Sequence, residues 1–349
     1  MPFEYEWLIC SWPHRKGPQT GRRGFSPGCS HAGEVAPGAN RRRISAYRLN
    51  RRHTCLRSWG GFTTLFTLLL ASPAARAAEG PFLITYTHQM EEPGSLEVGT
   101  KSILAKPNDG NRFLGVATEF EYGVTDWWMS GVYFDGQTTG GQSTLFTGYR
   151  WENRIRLLRH DHWINPILYV EFEDIDSADK TLLEVVNRDG NNNLTEPNGE
   201  AHSQKKREIE AKLISDSYFK GWTIAENIIA EKNVAHEPFE FGYAVGVSRP
   251  LVLAAKTNRC NFCAENLQLG VEMYGGLGSY TDFGLRGTSH YVAPTAAWTL
   301  ANGATFRLSP GLGVTHPSTP FMLRFGLSYE IDEFGRAVSS LFHRDRDHL

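Results

Sequence analysis

The sequence has little of what marks a helical or a nucleic-acid-binding protein. Helical periodicity is hard to find after residue 78, no Gly-rich phosphate loop opens a helix, and no basic stripe is present. No apolar run is long enough for a membrane-spanning helix. Only five cysteines occur, and 36 Lys and Arg nearly balance 38 Asp and Glu. With 40% hydrophobic residues and 35 Gly, the chain is nevertheless not a disordered one.

The near-neutral charge conceals two unlike parts. Residues 1–60 hold eleven Lys or Arg against three Glu, whereas 35 acidic residues face 24 basic ones from residue 78 onward. Within residues 51–77, a basic stretch precedes an apolar run and the small-residue site Ala75-Arg76-Ala77, which is the order of a signal peptide. We predict cleavage after Ala77. Residues 1–50 are expected to be a disordered extension or a stretch upstream of the true start.

Alternation of period two runs through the rest of the chain and predicts strands. In the segment 239–247, Phe241, Tyr243 and Val245 share one face, while Gly242 and Ala244 share the other. The other face of these strands is rich in Gly, Ser and charged residues. Such a face suits the crowded lumen of a transmembrane barrel better than the solvent-exposed face of a soluble sandwich. Twelve strands are predicted, at 96–104, 113–122, 127–134, 144–152, 163–173, 207–215, 222–231, 239–247, 266–274, 290–300, 304–314 and 321–331.

These strands predict an all-β fold, an antiparallel up-and-down transmembrane β-barrel of about twelve strands over residues 95–334. Residues 78–94 would be a periplasmic lead-in or an inserted segment, and 335–349 a periplasmic tail. Short and long gaps mostly alternate, although the gap 248–266 is too long for the rule. Together with the signal peptide, these strands predict a location in the outer membrane of a Gram-negative cell. The implied partners are outer-membrane lipid and the barrel-assembly machinery, with no nucleic acid.

The hairpin EYGVTDWWMSGVYF (121–134) holds a tight Tyr-Gly-aliphatic-Thr-Asp turn at residues 122–126, and PGSLEVG (93–99) precedes it. Over about one third of the chain, these segments resemble the phenol-degradation meta-pathway family of outer-membrane transporters. The resemblance implies the barrel fold and the outer-membrane location but no reaction.

The predicted lumen face carries more carboxylates than bases. Rings of carboxylates would favour a cation-leaning pore, whereas mixed signs on neighbouring strands would also suit a packed salt-bridge network. Glu226 falls on the apolar face of its segment, so either a bulge shifts the register there or a carboxylate points toward lipid. The predicted lumen charges are Glu119, Glu121, Arg150, Glu171, Glu173, Glu208, Glu210, Lys212, Glu240, Glu272, Arg307, Arg324 and Glu330.

The segment 187–200, in a long gap between predicted strands, offers oxygen ligands at the spacing of a calcium loop. Leu194, however, occupies the position at which the sharp turn of such a loop requires Gly. A polar surface loop is the alternative, and no other cofactor is predicted. The candidate Ca²⁺ ligands are Asp189, Asn191, Asn193, Thr195 and Glu200.

Cys260 and Cys263 form a CNFC motif without the His needed for haem attachment, and they predict a local disulfide that pins a turn. An enzyme at the barrel rim would need a base such as His160, His162 or His290, but no catalytic arrangement can be placed around any of them. We therefore predict a passive channel or transporter for a small solute or cation. A rim hydrolase and a structural barrel with a sealed lumen are the alternatives.

Overall fold

A computed structural model describes residues 80–107, 110–181, 195–235, 238–253 and 263–338. The signal-peptide prediction and most of the tail lie outside this range. The strands are β1 (Leu96–Ala105), β2 (Phe113–Thr125), β3 (Trp128–Thr139), β4 (Thr144–Arg156), β5 (Ile167–Asp176), β6 (Lys205–Phe219), β7 (Trp222–Asn233), β8 (Glu240–Pro250), β9 (Leu267–Ser279), β10 (Asp282–Phe283), β11 (His290–Thr299), β12 (Thr305–Gly313) and β13 (Phe321–Ile331). A four-residue helix, α1 (Asn198–Ala201), lies between β5 and β6.

Twelve of these strands close into a ring in which sequence neighbours pair antiparallel. β1 pairs with β13 over ten residues and thereby closes the sheet, from Leu96 opposite Ile331 to Ala105 opposite Met322. The two-residue β10 only extends β9 as a short hairpin. The predicted closed antiparallel barrel is therefore confirmed, and a two-layer sandwich is excluded.

Side chains alternate between the two surfaces of the wall as the strand period requires. The outer surface is apolar and aromatic, with Trp151, Leu213 and Ile228 among its exposed members. The inner surface holds most of the buried charges. The apolar groups thus face outward, which reverses the arrangement of a soluble protein and matches a wall surrounded by lipid.

The two ends of the barrel differ in their connections. At the turn end, defined by the tight β2–β3 and β6–β7 turns, β1 begins and β13 ends. Lys220 and Gly221 supply the left-handed backbone of the β6–β7 turn, with φ of 50° and 82°. The opposite loop end carries the long β5–β6 connection. None of the helices in the described ranges is long and apolar enough to cross a membrane.

Every predicted strand coincides with an observed one, and the main errors are at the ends. β2, β3, β4 and β6 extend several residues beyond their predicted limits, because alternation weakens where polar residues occupy both faces near the rim. β5 begins at Ile167, after Pro166, although the prediction began at Trp163. Proline cannot donate to a ladder, and it sets the start of this strand.

Candidate functional site: the lumen and its plug

Residues 80–94, here called the plug, contain no strand and are bound to the inside of the wall. The backbone N–H groups of Leu83, Ile84 and Thr85 donate to the Glu272 carboxylate at 3.0, 2.9 and 2.6 Å. Glu272 lies on β9 and is fully buried. Hydrogen bonds to a charged acceptor are about twice as strong as neutral ones. A single carboxylate therefore holds three successive plug residues.

Neighbouring strands hold the rest of the plug. Tyr86 N donates to Asn227 Oδ1 at 2.7 Å, and Asn227 Nδ2 donates back to Tyr86 O at 2.9 Å. His88 Nδ1 lies 2.7 Å from Asp216 Oδ1. A Cβ on Gly246 would overlap the Phe82 ring, so glycine leaves the room that the plug occupies. The lumen is consequently filled by the chain's own segment near the turn end.

Glutamates follow one another around the inner wall from strand to strand. By register, Glu97 on β1 faces both Glu330 on β13 and Glu121 on β2. After Gly131 on β3, the same row continues from β4 to β8. We call this set the glutamate row: Glu330, Glu97, Glu121, Glu152, Glu171, Glu210, Glu231 and Glu240.

The glutamate row climbs the barrel from one end to the other. Strands of a barrel are tilted, so a line perpendicular to them rises as it passes around the wall. Glu330 is the second-to-last residue of β13, which ends at the turn end. Glu240 is the first residue of β8, which begins at the loop end. Carboxylates thus line a path along the height of the lumen, with one gap at Gly131 on β3.

Basic side chains neutralise part of the row. Arg154 lies 3.1 Å from Glu121, and Lys212 lies 2.7 Å from Glu210. Arg150 contacts Glu171 at 3.2 Å and Asp135 at 2.6 Å. The gap at Gly131 is bridged by Tyr133, whose hydroxyl contacts both Glu121 and Glu152.

Glu173 and Glu231 are among the lumen carboxylates without such a partner. No Lys or Arg nitrogen in the described ranges lies within 4.0 Å of the carboxylates of Glu173 or Glu231. Carboxylate oxygens of Glu171, Glu173 and Glu210 lie within 4.8 Å of one another. Because Arg150 and Lys212 already pair with two of these three, the group is part of a charge network rather than a free metal cage.

A cavity of about 560 Å³ lies between the plug and the β5–β6 loop. Plug residues Leu83, Ile84 and Tyr86 line one part, and loop residues Asp179 and Thr181 another. Mixed charges from several strands, including Lys101, Glu173, Glu208 and Arg324, line its walls. Its size suits a small molecule.

The β5–β6 loop folds into the barrel mouth before residue 182. Lys180 is 1% exposed, and its Nζ donates to Thr139 Oγ1 at 3.4 Å. Burial lowers the pKa of Lys180, and the neighbouring Asp179 opposes that shift. Arg324 Nη1 donates to Thr181 O at 3.2 Å. The loop therefore narrows the lumen from the end opposite the plug.

The structure places all thirteen predicted lumen charges on the inner face of the wall. Twelve of them are buried, and Glu240 is half-buried near the loop end. Glu226 lies outside on β7, exposed, with Ser215 Oγ donating to it at 3.0 Å. The β6–β7 and β7–β8 pairings run through this position without a shift. No bulge redirects the carboxylate, and it points away from the lumen.

Several lumen residues escaped the sequence analysis. Glu152 and Arg154 follow Arg150 at steps of two, so extending the alternation beyond residue 152 would have found Arg154. Glu231 stands on the face opposite Glu226 and could have been assigned by the same period. The plug contacts of Asn227 and Glu272 had no signal in the sequence, because their partners are backbone groups distant in the chain.

The predicted histidines do not form a catalytic arrangement. His160 and His162 are exposed in the β4–β5 turn. His290 is buried, with Nδ1 3.0 Å from the Tyr243 hydroxyl and Nε2 2.8 Å from Thr288 Oγ1. Both ring nitrogens of His290 thus serve structural hydrogen bonds.

The remaining predicted sites are only partly described. Asp189, Asn191 and Asn193 lie outside the described residues, while Thr195 and Glu200 are exposed. Calcium binding stays a prediction. Cys263 is disulfide-bonded, and Cys260, its predicted partner, lies outside the described residues.

The closed wall, apolar outside and charged inside, defines a β-barrel of the transmembrane type. No protein-family model and no curated protein matches the chain, so the resemblance to the phenol-degradation family is not confirmed. The chain is similar in fold to the KdgM porin in complex with disordered oligogalacturonate, at 6% identity and a TM-score of 0.41, covering 67% of this chain and 98% of the porin. It is also similar to an outer membrane channel from Pseudomonas putida F1, at 11% identity and a TM-score of 0.44, covering 70% and 98%. The translocator domain of the autotransporter NalP from Neisseria meningitidis matches at 10% and 0.35, covering 78% and 97%. These likenesses concern the fold alone.

Proposed function

We propose that the protein is an outer-membrane channel that passes small solutes with a preference for cations and is closed toward the periplasm by its plug. The observation that carries this proposal is the glutamate row. Like charges directly opposite one another destabilise a sheet. Six strand-to-strand steps of the row join two glutamates in this way. Such a costly arrangement is expected where the lumen attracts cations.

The apolar outer surface supports the membrane location. Trp163, Trp222 and Phe219 are exposed near the turn end, and Phe146 and Phe283 near the loop end. Aromatic side chains in two girdles flank the lipid-facing band of outer-membrane barrels. The short turns, the beginning of β1 and the end of β13 then face the periplasm.

The plug supports a gated rather than a permanently open pore. Its contacts are hydrogen bonds to side chains and not a shared β-ladder. A segment held in this way can leave without breaking the barrel sheet. The calcium site in the β5–β6 loop and the named transporter family remain subsidiary proposals for the same protein.

The reversal potential of single channels in a KCl gradient tests the cation preference. The double exchange Glu173→Gln, Glu231→Gln removes two lumen carboxylates that have no basic partner and should roughly halve the ratio of cation to anion permeability. Glu226→Gln is the matched control for Glu231→Gln alone, because each removes one carboxylate from β7, on the outer and the inner surface respectively. An anion preference in the unaltered protein, or equal effects of the inner and outer exchanges, would contradict the proposal. A rim hydrolase would instead lose activity on replacement of His290.

A further inference from the structure

We propose that the outer surface beside the β6–β7 turn binds the phosphate of an anionic phospholipid in the periplasmic leaflet, through Lys220 and Arg249 on either side of Trp222. This lipid site rests on the proposed orientation of the barrel, with its short turns toward the periplasm. It depends neither on conduction through the lumen nor on the plug.

Strand pairing brings the parts of the site together. Phe219 at the end of β6 stands opposite Trp222 at the start of β7. The β7–β8 register places Trp222 beside Arg249 on the outer surface of β8. Neighbouring strands are about 4.8 Å apart, so the backbones at Phe219 and Arg249 are roughly 10 Å apart with the indole between them. The side chain of Lys220, which follows Phe219 in the turn, completes the site.

Each base lies over an exposed aromatic ring. Lys220 Nζ is 5.1 Å from the centroid of the Phe219 ring, and Arg249 Cζ is 5.5 Å from that of Trp222. Within the described ranges, no carboxylate oxygen lies within 4.0 Å of either base. A contact with a ring leaves the positive charge of the base in place. Both bases can therefore donate charge-assisted hydrogen bonds to a phosphate.

Lys220 occupies a position that turn geometry assigns to other residues. Its φ is 50°, and the next residue, Gly221, has a φ of 82°. Hairpin turns of this kind favour Asn or Asp before Gly, because their short side chains tolerate the left-handed backbone. A residue held in such a conformation against its local preference points to a function. Here the lysine supplies a positive charge that Asn would not.

An apolar surface for the acyl chains continues from the bases toward the middle of the wall. Ile224 stands opposite Val247, and Val247 stands opposite Val271, with all three exposed on the outer surface. The outward carboxylate of β7, Glu226, is four residues from Trp222, about 13 Å along the strand. The surface is thus positive at the turn and apolar toward the membrane centre, which fits a phosphate and its acyl chains.

The β2–β3 turn, at the same end of the barrel, has the opposite charge. It exposes Trp127, but the neighbouring turn residue is Asp126. A carboxylate repels a phosphate. The anionic lipid is therefore expected beside β6–β8 and not around the whole rim.

Native mass spectrometry of the whole protein, released from mixed micelles with equal amounts of phosphatidylglycerol and phosphatidylcholine, tests the site. We expect retained phosphatidylglycerol to exceed phosphatidylcholine several-fold. The double variant Lys220→Asn, Arg249→Gln should bring that ratio close to one. Arg207→Gln with Lys232→Asn is the matched control, because it removes one arginine and one lysine near the loop end, and this lysine also lies over an aromatic ring. The control should leave the ratio unchanged.

The single variant Lys220→Asn separates lipid binding from the stability of the turn. Asparagine suits the left-handed position better, so thermal unfolding in phosphatidylcholine alone should begin at the same temperature or a higher one. The same variant should nevertheless retain less phosphatidylglycerol, whereas Lys220→Arg should retain as much as the unaltered protein. Opposite effects on stability and on lipid retention exclude a role confined to the turn.

Three outcomes would overturn the lipid site: a ratio near one in the unaltered protein, equal losses in the loop-end control, or displacement of the lipid by an equal concentration of glycerol phosphate. The last would identify a site for a free phosphate. Lipid retention is read without conductance, so its failure leaves the proposed channel standing. A non-conducting barrel that retains phosphatidylglycerol selectively would refute the channel and keep the lipid site.

Discussion

The acid wall, formed by β4–β8, and the small-residue wall, formed by β11 and β12, are built on the same strand period with opposite contents. The acid wall presents Glu152, Glu171 and Glu210 to the lumen on adjacent strands in unbroken ladders. The small-residue wall presents residues such as Thr295 and Ser309 beside an interrupted ladder. The acid wall has like charges opposite one another within intact ladders, and the small-residue wall lacks backbone bonds beside small lumen-facing side chains.

The difference between the two walls shows that unfavourable interactions of different kinds can lie in different parts of one barrel. Repulsion between carboxylates concentrates cations in the lumen without opening the wall. Missing backbone hydrogen bonds between β11 and β12 weaken the wall but do not attract ions. The plug lies across the lumen, held by Glu272 on β9 and by Asn227 and Asp216 on β7 and β6.

The largest effect is expected from releasing the plug at Glu272. Glu272→Gln exchanges a charged acceptor of three N–H groups for an amide with one acceptor oxygen. Each charged hydrogen bond contributes about 1.5–3 kcal/mol. Even partial loss should raise the open fraction of single channels about 10–100-fold. Single-channel recording at constant salt measures it.

Asn227→Ala is the matched comparison for the plug, because it removes two neutral hydrogen bonds from the same segment. It should raise the open fraction by a smaller factor, about ten-fold or less. Equal open fractions in both variants and the unaltered protein would mean that the plug is not the gate.

The sequence was sufficient for the barrel because period two is a local property of each strand. Twelve strands, the inner position of residues such as Glu171 and Arg324, and the outward position allowed for Glu226 all follow from alternation. The glutamate row did not follow, because it depends on the register between strands, which turn and bulge geometry sets. An inserted segment was one of the interpretations of residues 78–94, but its contacts were equally hidden. Glu272 binds backbone groups nearly two hundred positions away, and any residue can supply those N–H groups.

The next effect concerns the stability of the small-residue wall. Pairing between β11 and β12 is interrupted around Pro294 and Pro310, which stand opposite each other by register. Pro294→Ala with Pro310→Ala should restore two backbone hydrogen bonds, worth about 0.5–1.5 kcal/mol each. Part of that gain is offset, because alanine leaves the unfolded chain freer by about 0.4–1 kcal/mol per site. A net stabilisation of roughly 1 kcal/mol should raise the urea midpoint of unfolding in lipid. The same exchange at Pro166, which precedes β5, should give no increase.

The smallest effect is expected in the acid wall, and its dependence on salt separates the two walls. Glu231 stands directly between Glu210 and Glu240, so its replacement by Gln removes two like-charge pairings. Cross-strand pairs contribute roughly 0.2–1 kcal/mol each. Because Lys212 already offsets the charge of Glu210, Glu231→Gln should stabilise the folded barrel by about 0.5 kcal/mol for the two pairings together. Added salt should diminish the gain, because screening weakens the repulsion that the exchange removes. The stabilisation from the proline exchange should not depend on salt. Urea unfolding of both variants at low and high KCl measures the contrast, and a salt-independent gain for Glu231→Gln would show that its neighbours do not repel it.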